Sequence, residues 1–496
     1  MKTRNEAATE SPTSSNSSRR HLNNFVASGA LQLIAVLAPL TTLLLMARCY
    51  DMAAFGQYSV ALAFVNVLTV FFGLGASAAT CFQIARIERQ HLRRQDGVIG
   101  AGLLSVLCFT LFFSPFAWVI PWLLGYSNET RQLVLLLTAG GWCSVISDLL
   151  NGVYRGRREM SWQLIPVASV AVATLVCVTP LLIAGKPLKQ VAVTWSACQL
   201  LGPCILFLCL RRSGLLRSFK RTPRQLPTVF RRAFTIGLDG VIFRVGIQTV
   251  TLLLPVLLSV RAAGIFNAAS KPLAMLVIGN SFIMRFFGPY IASAGDKDPT
   301  CMTLRIQMCH KLAFFFTGSV LVGALTFPHV ICNILFGAKA EEIAEYMQVL
   351  AIAFIIYYAP PYSANLKAIG LERQVVWCGI IQWATMVVAL FVLAPRYGVW
   401  GAVTATLLAY SAYWLTEVFL YSFNRLKGVA NAERYLAYLF GSTALGFTYN
   451  QFPGGTLSII SFALTVLTLS LLVYWTPGER EQARWLLRNS LAPRRA

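Results

Sequence analysis

Fourteen long apolar runs constrain the fold of this chain more than any other feature. Each run has about 17 to 27 residues, and a helix needs roughly 20 apolar residues to cross a bilayer. Lipid offers no partners to backbone groups, so such segments are helices. The sequence therefore predicts an all-α polytopic membrane protein with about 14 transmembrane helices, numbered here as spans 1 to 14. The runs are 24–47, 56–82, 97–123, 132–151, 162–184, 191–210, 233–259, 262–287, 312–333, 347–366, 374–394, 398–423, 435–451 and 456–475.

The distribution of basic residues indicates the orientation of these spans. The chain has 42 Lys and Arg against 19 Asp and Glu, a net charge of +23 that would suggest nucleic-acid binding in a soluble protein. Counted loop by loop, 33 basic residues fall on the side of the N-terminus and 7 on the opposite side. Basic residues collect in cytoplasmic loops. The count therefore predicts that both termini are cytoplasmic, and it explains the charge without a nucleic-acid partner.

Short sequence matches indicate an internal repeat. Segment 53–58 recurs at 262–266, segment 156–158 with Trp162 recurs at 370–373 with Trp377, and segment 192–194 recurs at 402–404, at offsets of about 208 to 215 residues. Spans 1–6 are therefore predicted to repeat as spans 7–12 in the same orientation, which suits alternating access between two lobes. The predicted organisation is a polar cytoplasmic N-terminus 1–23, an N-lobe 24–210, a basic cytoplasmic linker 211–232, a C-lobe 233–423, spans 13 and 14 in 424–475, and a basic cytoplasmic tail 476–496.

The basic linker 211–232 contains eight Lys and Arg and no acidic residue. It is interpreted as a solvated loop against anionic lipid, and the alternative is a segment that gathers an anionic lipid-linked substrate. The twelve cysteines and four histidines show no ligand spacing, and no catalytic motif appears. We therefore predict no catalytic site, no metal and no cofactor, with coupling to H⁺ or Na⁺ left open.

Five charged residues fall well inside predicted spans, where charges normally face a cavity or a partner: Asp148, Asp239, Arg244, Lys271 and Glu417. At about 1.5 Å per residue, Arg244 lies roughly 16 Å and Lys271 roughly 13 Å from the ends of their spans. Two cations at similar depth on adjacent spans could bind a phosphate or pyrophosphate. The alternative for Arg244 is a structural pair with a carboxylate such as Asp239, although the two lie about 140° apart around the helix.

The carboxylates Asp239 and Glu417 are candidates for ion coupling or, equally, for fixed counter-ions of the two cations. Asp148, only about 5 Å from the inner end of span 4, is interpreted as an interfacial cap. Arg48, at the outer end of span 1, is predicted either to reach the interface or to line a cavity mouth.

Prolines inside spans bend helices where a cavity or neighbours satisfy the freed backbone groups. Pro272, directly after Lys271, and Pro360, in span 10, are therefore candidate gating hinges.

Several stretches together resemble Wzx-type polysaccharide-unit flippases of the multidrug/oligosaccharidyl-lipid/polysaccharide (MOP) exporter superfamily. They are Ala47-Arg48 with 55–58, Phe336-Gly337 with Glu341-Glu342 and Val349-Leu350, the segment 368–374, and above all 393–406, LAPRYGVWGAVTAT. The resemblance covers nearly the whole chain. The chain departs from the family pattern at Cys49-Tyr50-Asp51, where Leu-Gly-Pro is common, and at Gln248-Thr249, where an aspartate is common.

The resemblance implies a flippase that moves a polyprenyl-pyrophosphate-linked oligosaccharide to the periplasmic leaflet through a cationic cavity. The expected partners are this substrate, membrane lipids, and the polysaccharide polymerase and export machinery of a bacterial inner membrane. Arg244, Lys271 and Arg48 are then the expected pyrophosphate-binding residues. The alternatives are a drug/cation antiporter of the same superfamily and, from another class, a membrane glycan polymerase or ligase. The outer loops are too short for the catalytic domain that such an enzyme needs.

Overall fold

The computed structural model describes residues 34, 37–87, 92–157, 159–215, 222–276, 319–358, 366, 371–423 and 441. These residues form helices and connecting turns, and no β-strand occurs among them. The N-half, defined here as helices α1 to α8, comprises α1 (Leu37–Cys49), α2 (Met52–Gly73), α3 (Ala76–Arg86), α4 (Leu92–Phe113), α5 (Phe116–Leu123), α6 (Asn128–Gly156), α7 (Leu164–Ile183) and α8 (Leu188–Arg212).

The C-half, defined as the helices that follow, begins with the 36-residue helix α9 (Thr222–Leu257). It continues with α10 (Val260–Leu276), α11 (Ser319–Thr326), α12 (Pro328–Phe336), α13 (Ala340–Tyr358), α14 (Glu372–Tyr397) and α15 (Val399–Phe423). Helix α9 packs against α2, α3 and α4, and α10 packs against α2. The two halves therefore meet along α2, α9 and α10.

Seven helices in the described residues are long and apolar enough to cross a bilayer. Helix α9 adds another if its parts Arg224–Ile242 and Arg244–Leu257, which meet at 46°, form one bent span. The all-α class predicted from the sequence is therefore confirmed. Predicted spans 13 and 14, both terminal segments and the loop 285–311 lie outside the described residues.

Several helix boundaries differ from the predicted spans, and three of the differences concern the helices around the site. The run 56–82 forms two helices, because the chain turns at Leu74 and Gly75, where Gly75 has φ +75°. Helix α6 continues to Gly156, beyond the predicted end at 151, and α9 begins at Thr222 rather than 233. Hydropathy identifies only the apolar part of a helix. In α6 and α9 the hydrogen-bonded helix also includes the neighbouring segment that contains arginines.

Two glycines join the halves at the end predicted to face the periplasm. A Cβ atom at Gly56 of α2 would overlap the carbonyl oxygen of Val260, and a Cβ atom at Gly264 of α10 would overlap that of Met52. The contact is reciprocal, since Gly264 follows Gly56 by 208 residues and Val260 follows Met52 by the same number. Such self-complementarity is what a twofold axis between similar units produces, and it supports the predicted repeat.

A second glycine contact joins the halves at the opposite end of α2. A Cβ atom at Gly75 would lie 2.7 Å from the backbone nitrogen of Gly237 in α9, and one at Gly237 would overlap the backbone of Leu74. This approach requires glycine on both sides, and the positive φ of Gly75 adds a second reason at that position. The break between α2 and α3 is therefore held against α9.

Candidate functional site

A cavity of about 650 Å³ lies at the second of these contacts, since Leu74 and Gly75 are part of its wall. Its wall is formed by α2, α3, α4 and α6 of the N-half, and α9 of the C-half contributes Arg244. Polar groups from four of these helices face it: Asn66, Thr69, Ser77, Ser144, Asp148, Arg155 and Arg244. The wall therefore contains two guanidinium groups and one carboxylate.

An ion pair on α6 forms one side of this cavity. Arg155 Nη2 lies 3.0 Å from Asp148 Oδ1, and it also donates to Ser77 Oγ at 2.7 Å. The two residues are seven apart, so they lie on one face of the helix, and Cβ atoms tilt toward the helix N-terminus. The Arg155 side chain therefore reaches back along α6 to Asp148. Ser77 donates in turn to the backbone oxygen of Asp148 at 2.7 Å, which links α3 to the pair.

Asp148 is thus a partner of Arg155 in the cavity wall. Helix α6 ends at Gly156, so Asp148 lies about 12 Å from the helix end by the same count per residue, and not about 5 Å as counted from the end of the apolar run. Its interfacial position stays a prediction.

Arg244 follows the bend of α9 and is exposed to the cavity. The segment after it contains polar side chains that form hydrogen bonds to the neighbouring helices α10 and α14. Gln248 accepts from Lys271 of α10 at 3.3 Å, and Thr249 accepts from Trp383 of α14 at 3.1 Å. Thr251 donates to Asn267 of α10 at 3.0 Å. The bent half of α9 is therefore fixed to both neighbours beside the cavity.

Lys271 lies close enough to Arg244 for the two cations to repel each other electrostatically. It lies outside the wall of the 650 Å³ cavity. Arg244 thus lies near Lys271 and lines the same cavity as the Asp148–Arg155 pair.

Arg48 lies elsewhere, at the end of α1 on the side predicted to be periplasmic. Its guanidinium is beside Gly337, and its carbonyl oxygen accepts from Lys339 Nζ at 3.3 Å. Lys339 also donates to the carbonyl oxygens of Ala47, at 2.8 Å, and of Tyr50. A lysine of the C-half thereby caps the C-terminal end of an N-half helix, where a cation is favoured.

The contacts of Lys339 close this end of the molecule together with the Gly56–Gly264 contact. Tyr126 adds a hydrogen bond from its hydroxyl to the carbonyl oxygen of Leu252 in α9, at 2.6 Å. Burial lowers the pKa of the Lys339 ammonium, and the carboxylate of Asp51 acts in the opposite direction. Arg48 is therefore part of this closed end and does not line the cavity.

The remaining predicted residues are distributed over the C-half. Glu417 is buried in α15, close enough to Cys378 of α14 to interact with it electrostatically. Pro272 is buried in α10, which stays helical through it, although its missing N–H leaves no donor for the carbonyl of Ala268. Asp239 lies in α9, but its side chain is outside the described part of the structure, as is the whole of Pro360.

A smaller cavity of about 250 Å³ adjoins the first. It lies between α1, α6, α7 and α8, with Pro39, Val170 and Leu206 in its wall. Ser144 and Asp148 line both cavities, so Asp148 lies where the two meet.

Sequence reasoning missed Arg155 and Ser77 as cavity residues. Arg155 was counted among the basic residues of a cytoplasmic loop, and Ser77 carried no signal of its own. The seven-residue spacing of Asp148 and Arg155 was the one available signal, but it matters only when the helix extends to Gly156. Within the described residues, no cluster of three or more His, Cys, Asp or Glu could hold a metal ion.

Comparisons with known proteins agree with this architecture. The family model for polysaccharide biosynthesis proteins matches residues 21–294, more than half of the chain. No curated protein sequence gives a significant match. Among solved structures, the lipid II flippase MurJ in an inward closed conformation is similar with a TM-score of 0.69 and 15% identity, over 90% of this chain and 97% of that chain.

Two other solved structures have a similar fold. An inward-facing multidrug resistance MATE transporter of the MOP superfamily has a TM-score of 0.62 and 14% identity, over 82% of this chain and 99% of that chain. A MOP-superfamily transporter from Pyrococcus furiosus, reported with reversed polarity of its binding pocket, has a TM-score of 0.61 and 14% identity, over 83% of this chain and 96% of that chain. At these identities the likeness shows the fold.

The apolar helices and the shared fold make this chain a multi-pass membrane protein. The chain belongs to the polysaccharide biosynthesis protein family and has the fold of the MOP-superfamily flippases.

Proposed function

We propose that the protein flips a polyprenyl-pyrophosphate-linked oligosaccharide from the cytoplasmic to the periplasmic leaflet of a bacterial inner membrane, for exopolysaccharide or O-antigen synthesis. The observation that carries this proposal is the 650 Å³ cavity with Arg155 and Arg244 in its wall. Charges inside a membrane protein are costly and are kept for a partner or a substrate. Two cations in one cavity favour an anionic substrate.

A pyrophosphate diester has a negative charge on each of its phosphate groups. A guanidinium binds phosphate oxygens through two parallel hydrogen bonds, which adds geometric selectivity to the charge attraction. In the proposed complex, Arg244 binds the pyrophosphate directly, and Lys271, held by Gln248, adds positive potential behind it. Arg48, beside Lys339 at the closed end, is proposed to meet the substrate only when that end opens.

Transport is proposed to follow alternating access between the two halves. The halves touch at Gly56–Gly264, away from the cavity wall, and at Gly75–Gly237, where Gly75 is part of that wall. Opening one contact while the other stays closed would expose the cavity to one leaflet at a time. Pro272, next to Lys271 in α10, and Pro360 are the proposed hinges for this rocking.

The energy source is proposed to be an ion gradient, with Asp239 or Glu417 as the carboxylate that loads and releases H⁺ or Na⁺. Glu417 supports this role by its burial, with 2% of its surface exposed. The polysaccharide polymerase and the export machinery are the proposed downstream partners, since the flipped unit must be polymerised and exported.

The first test is deletion of the gene in its host followed by complementation with Arg244→Ala, Lys271→Ala and the double variant. We expect the double variant to abolish polymer export and to accumulate polyprenyl-linked repeat units at the cytoplasmic face, while the protein stays in the membrane. Arg396→Ala is a matched control, because Arg396 is exposed at the end of α14 and does not line the cavity.

Two outcomes would contradict the proposal. Normal polymer yield from the double variant would reject the assignment of the two cations. Drug sensitivity of the deletion strain with unchanged glycan would indicate the antiporter instead of the flippase.

A further inference from the structure

The ion pair between Arg155 and Asp148 has an unusual position, because it stands in the wall of the cavity proposed for an anionic substrate. The side chain of Arg155 is 37% exposed and that of Asp148 is 63% exposed, so both reach the cavity space. An anion that enters the cavity therefore meets a guanidinium that is already neutralised by a carboxylate.

Arg155 has unused binding capacity in this arrangement. Its Nη2 atom makes the hydrogen bonds to Ser77 and Asp148, whereas its Nε atom is buried with no hydrogen-bond partner among the described residues. A guanidinium has five N–H donors, and a buried donor left unpaired is costly. The resting pair thus leaves a donor of Arg155 unpaired, and a phosphate oxygen would pair it only if the guanidinium turned away from Asp148 into the cavity.

The charges of the cavity wall also fit an exchange of partners. Arg155, Arg244 and Asp148 together give the empty cavity one net positive charge. A pyrophosphate diester with two negative charges balances both arginines only when Asp148 no longer neutralises Arg155. A ligand with a single charge would gain little by displacing the carboxylate.

We propose that Asp148 is an internal counter-ion that occupies Arg155 in the empty cavity and is displaced when a pyrophosphate group binds. This inference rests on the proposed function and adds a binding residue, Arg155, and a specificity-determining residue, Asp148, to the site. The exchange keeps the affinity moderate, so that the substrate can leave, and it favours pyrophosphate over singly charged phosphodiesters. Ser77 positions Arg155 for the exchange through its bond to Nη2.

The experiment measures binding of inorganic pyrophosphate to the purified full-length protein in detergent by isothermal titration calorimetry. Asp148→Asn should bind pyrophosphate about tenfold more tightly, and Arg155→Gln about tenfold more weakly, as expected for a charge-assisted contact. In the double variant the gain from Asp148→Asn should vanish, because no guanidinium remains to be released. Asp148→Ser serves as a second variant if the asparagine form does not fold.

Glu159→Gln is the matched control. Glu159 pairs with Arg157 at 3.2 Å, two residues beyond Arg155, and lies outside the cavity wall. Its replacement removes one negative charge close to the site and should leave pyrophosphate binding unchanged. Inorganic phosphate provides the selectivity control, and the preference for pyrophosphate over phosphate should narrow in Asp148→Asn.

Three results would overturn the exchange: no gain in Asp148→Asn, an equal gain when Arg155 is already Gln, or an equal gain in Glu159→Gln. The last two would mean that the carboxylate acts only through the overall electrostatic potential of the cavity.

Failure of the proposed function would give a different pattern of results. Altered pyrophosphate binding with normal polymer export in all variants would keep the exchange and reject the flippase. Loss of polymer export in the Arg244 variant, with no change in pyrophosphate binding on Asp148→Asn, would keep the flippase and reject the exchange.

Discussion

In the N-half, Arg155 donates to the carboxylate of Asp148, whereas in the C-half Lys271 donates to the neutral amide of Gln248. The N-half cation is thus balanced by an acid of the same helix, whereas the C-half cation Lys271 has a second cation, Arg244, close to it. The two halves share a scaffold, as the reciprocal contact of Gly56 and Gly264 shows. They differ in the polar groups that this scaffold presents.

The repeat itself shows where this difference arose. At the offset of 208 residues that relates Gly56 to Gly264, Arg244 and Lys271 correspond to Val36 and Ala63. At the offset of 214 that relates Gly156 to Gly370, Asp148 and Arg155 correspond to Tyr362 and Ile369. None of the four charges has a charged counterpart. The Gly56–Gly264 contact is therefore made by equivalent positions of the two halves, whereas the four charges are not.

The strongest test of the shared scaffold is to enlarge the two equivalent glycines. Gly56→Leu and Gly264→Leu should each lower the free energy of unfolding by about 2 kcal/mol or more, because the new side chain meets a backbone carbonyl that cannot yield. Thermal denaturation of the detergent-solubilised protein should show similar losses for both. Gly323→Ala is the control, since no atom lies within 4 Å of its Cβ position. Tolerance of one variant alone would break the equivalence of the halves.

A substitution that gives the C-half an acid of its own should have the next largest effect. Gln248→Glu would place a carboxylate at the 3.3 Å contact with Lys271 and neutralise it as Asp148 neutralises Arg155. We expect pyrophosphate binding to weaken about tenfold in calorimetry. Gln248→Met, which removes the amide without adding charge, should weaken it less. Equal losses from both variants would mean that the amide contact, and not the charge difference between the halves, matters.

The smallest expected effect concerns the support of α9 behind the site. Trp383→Phe removes the hydrogen bond to Thr249 and should lower the free energy of unfolding by about 1 kcal/mol. Trp377→Phe is the matched control on the same helix, because Trp377 is 63% exposed. Thermal denaturation of the three proteins measures the difference. A loss of the same size in the control would show that the bond does not stabilise the bent half of α9.

Much of the fold could be predicted because it depends on local composition. Apolar runs of bilayer length become helices wherever they occur, since lipid leaves their backbone groups no other partner. The confirmed spans, such as 162–184 and 398–423, lie within two residues of the helix limits in the structure. The break at Leu74 and Gly75 was not predicted, because it depends on the approach of Gly237 from a helix about 160 residues further along the chain.

The candidate site could be predicted only in part. Depth along a span identified Arg244 and Lys271, and the structure places them close to each other, on α9 and α10. Arg48 was predicted at the outer end of span 1, and the structure puts it at the closed end near Lys339 rather than in the cavity wall. Its position along the span did not show whether its side chain faces the cavity, because that depends on how the helices pack.

The sequence by itself determined the class of this protein, its long helices and the internal repeat that relates Gly56 to Gly264. These follow from hydropathy and self-similarity, which each segment carries along its own length. Only the tertiary structure decided that Arg155 turns back to Asp148, that Arg244 shares their cavity and that Arg48 does not. The physical reason is that a cavity is formed by helices far apart in the chain. Which residues line it therefore depends on how these helices pack and rotate against one another.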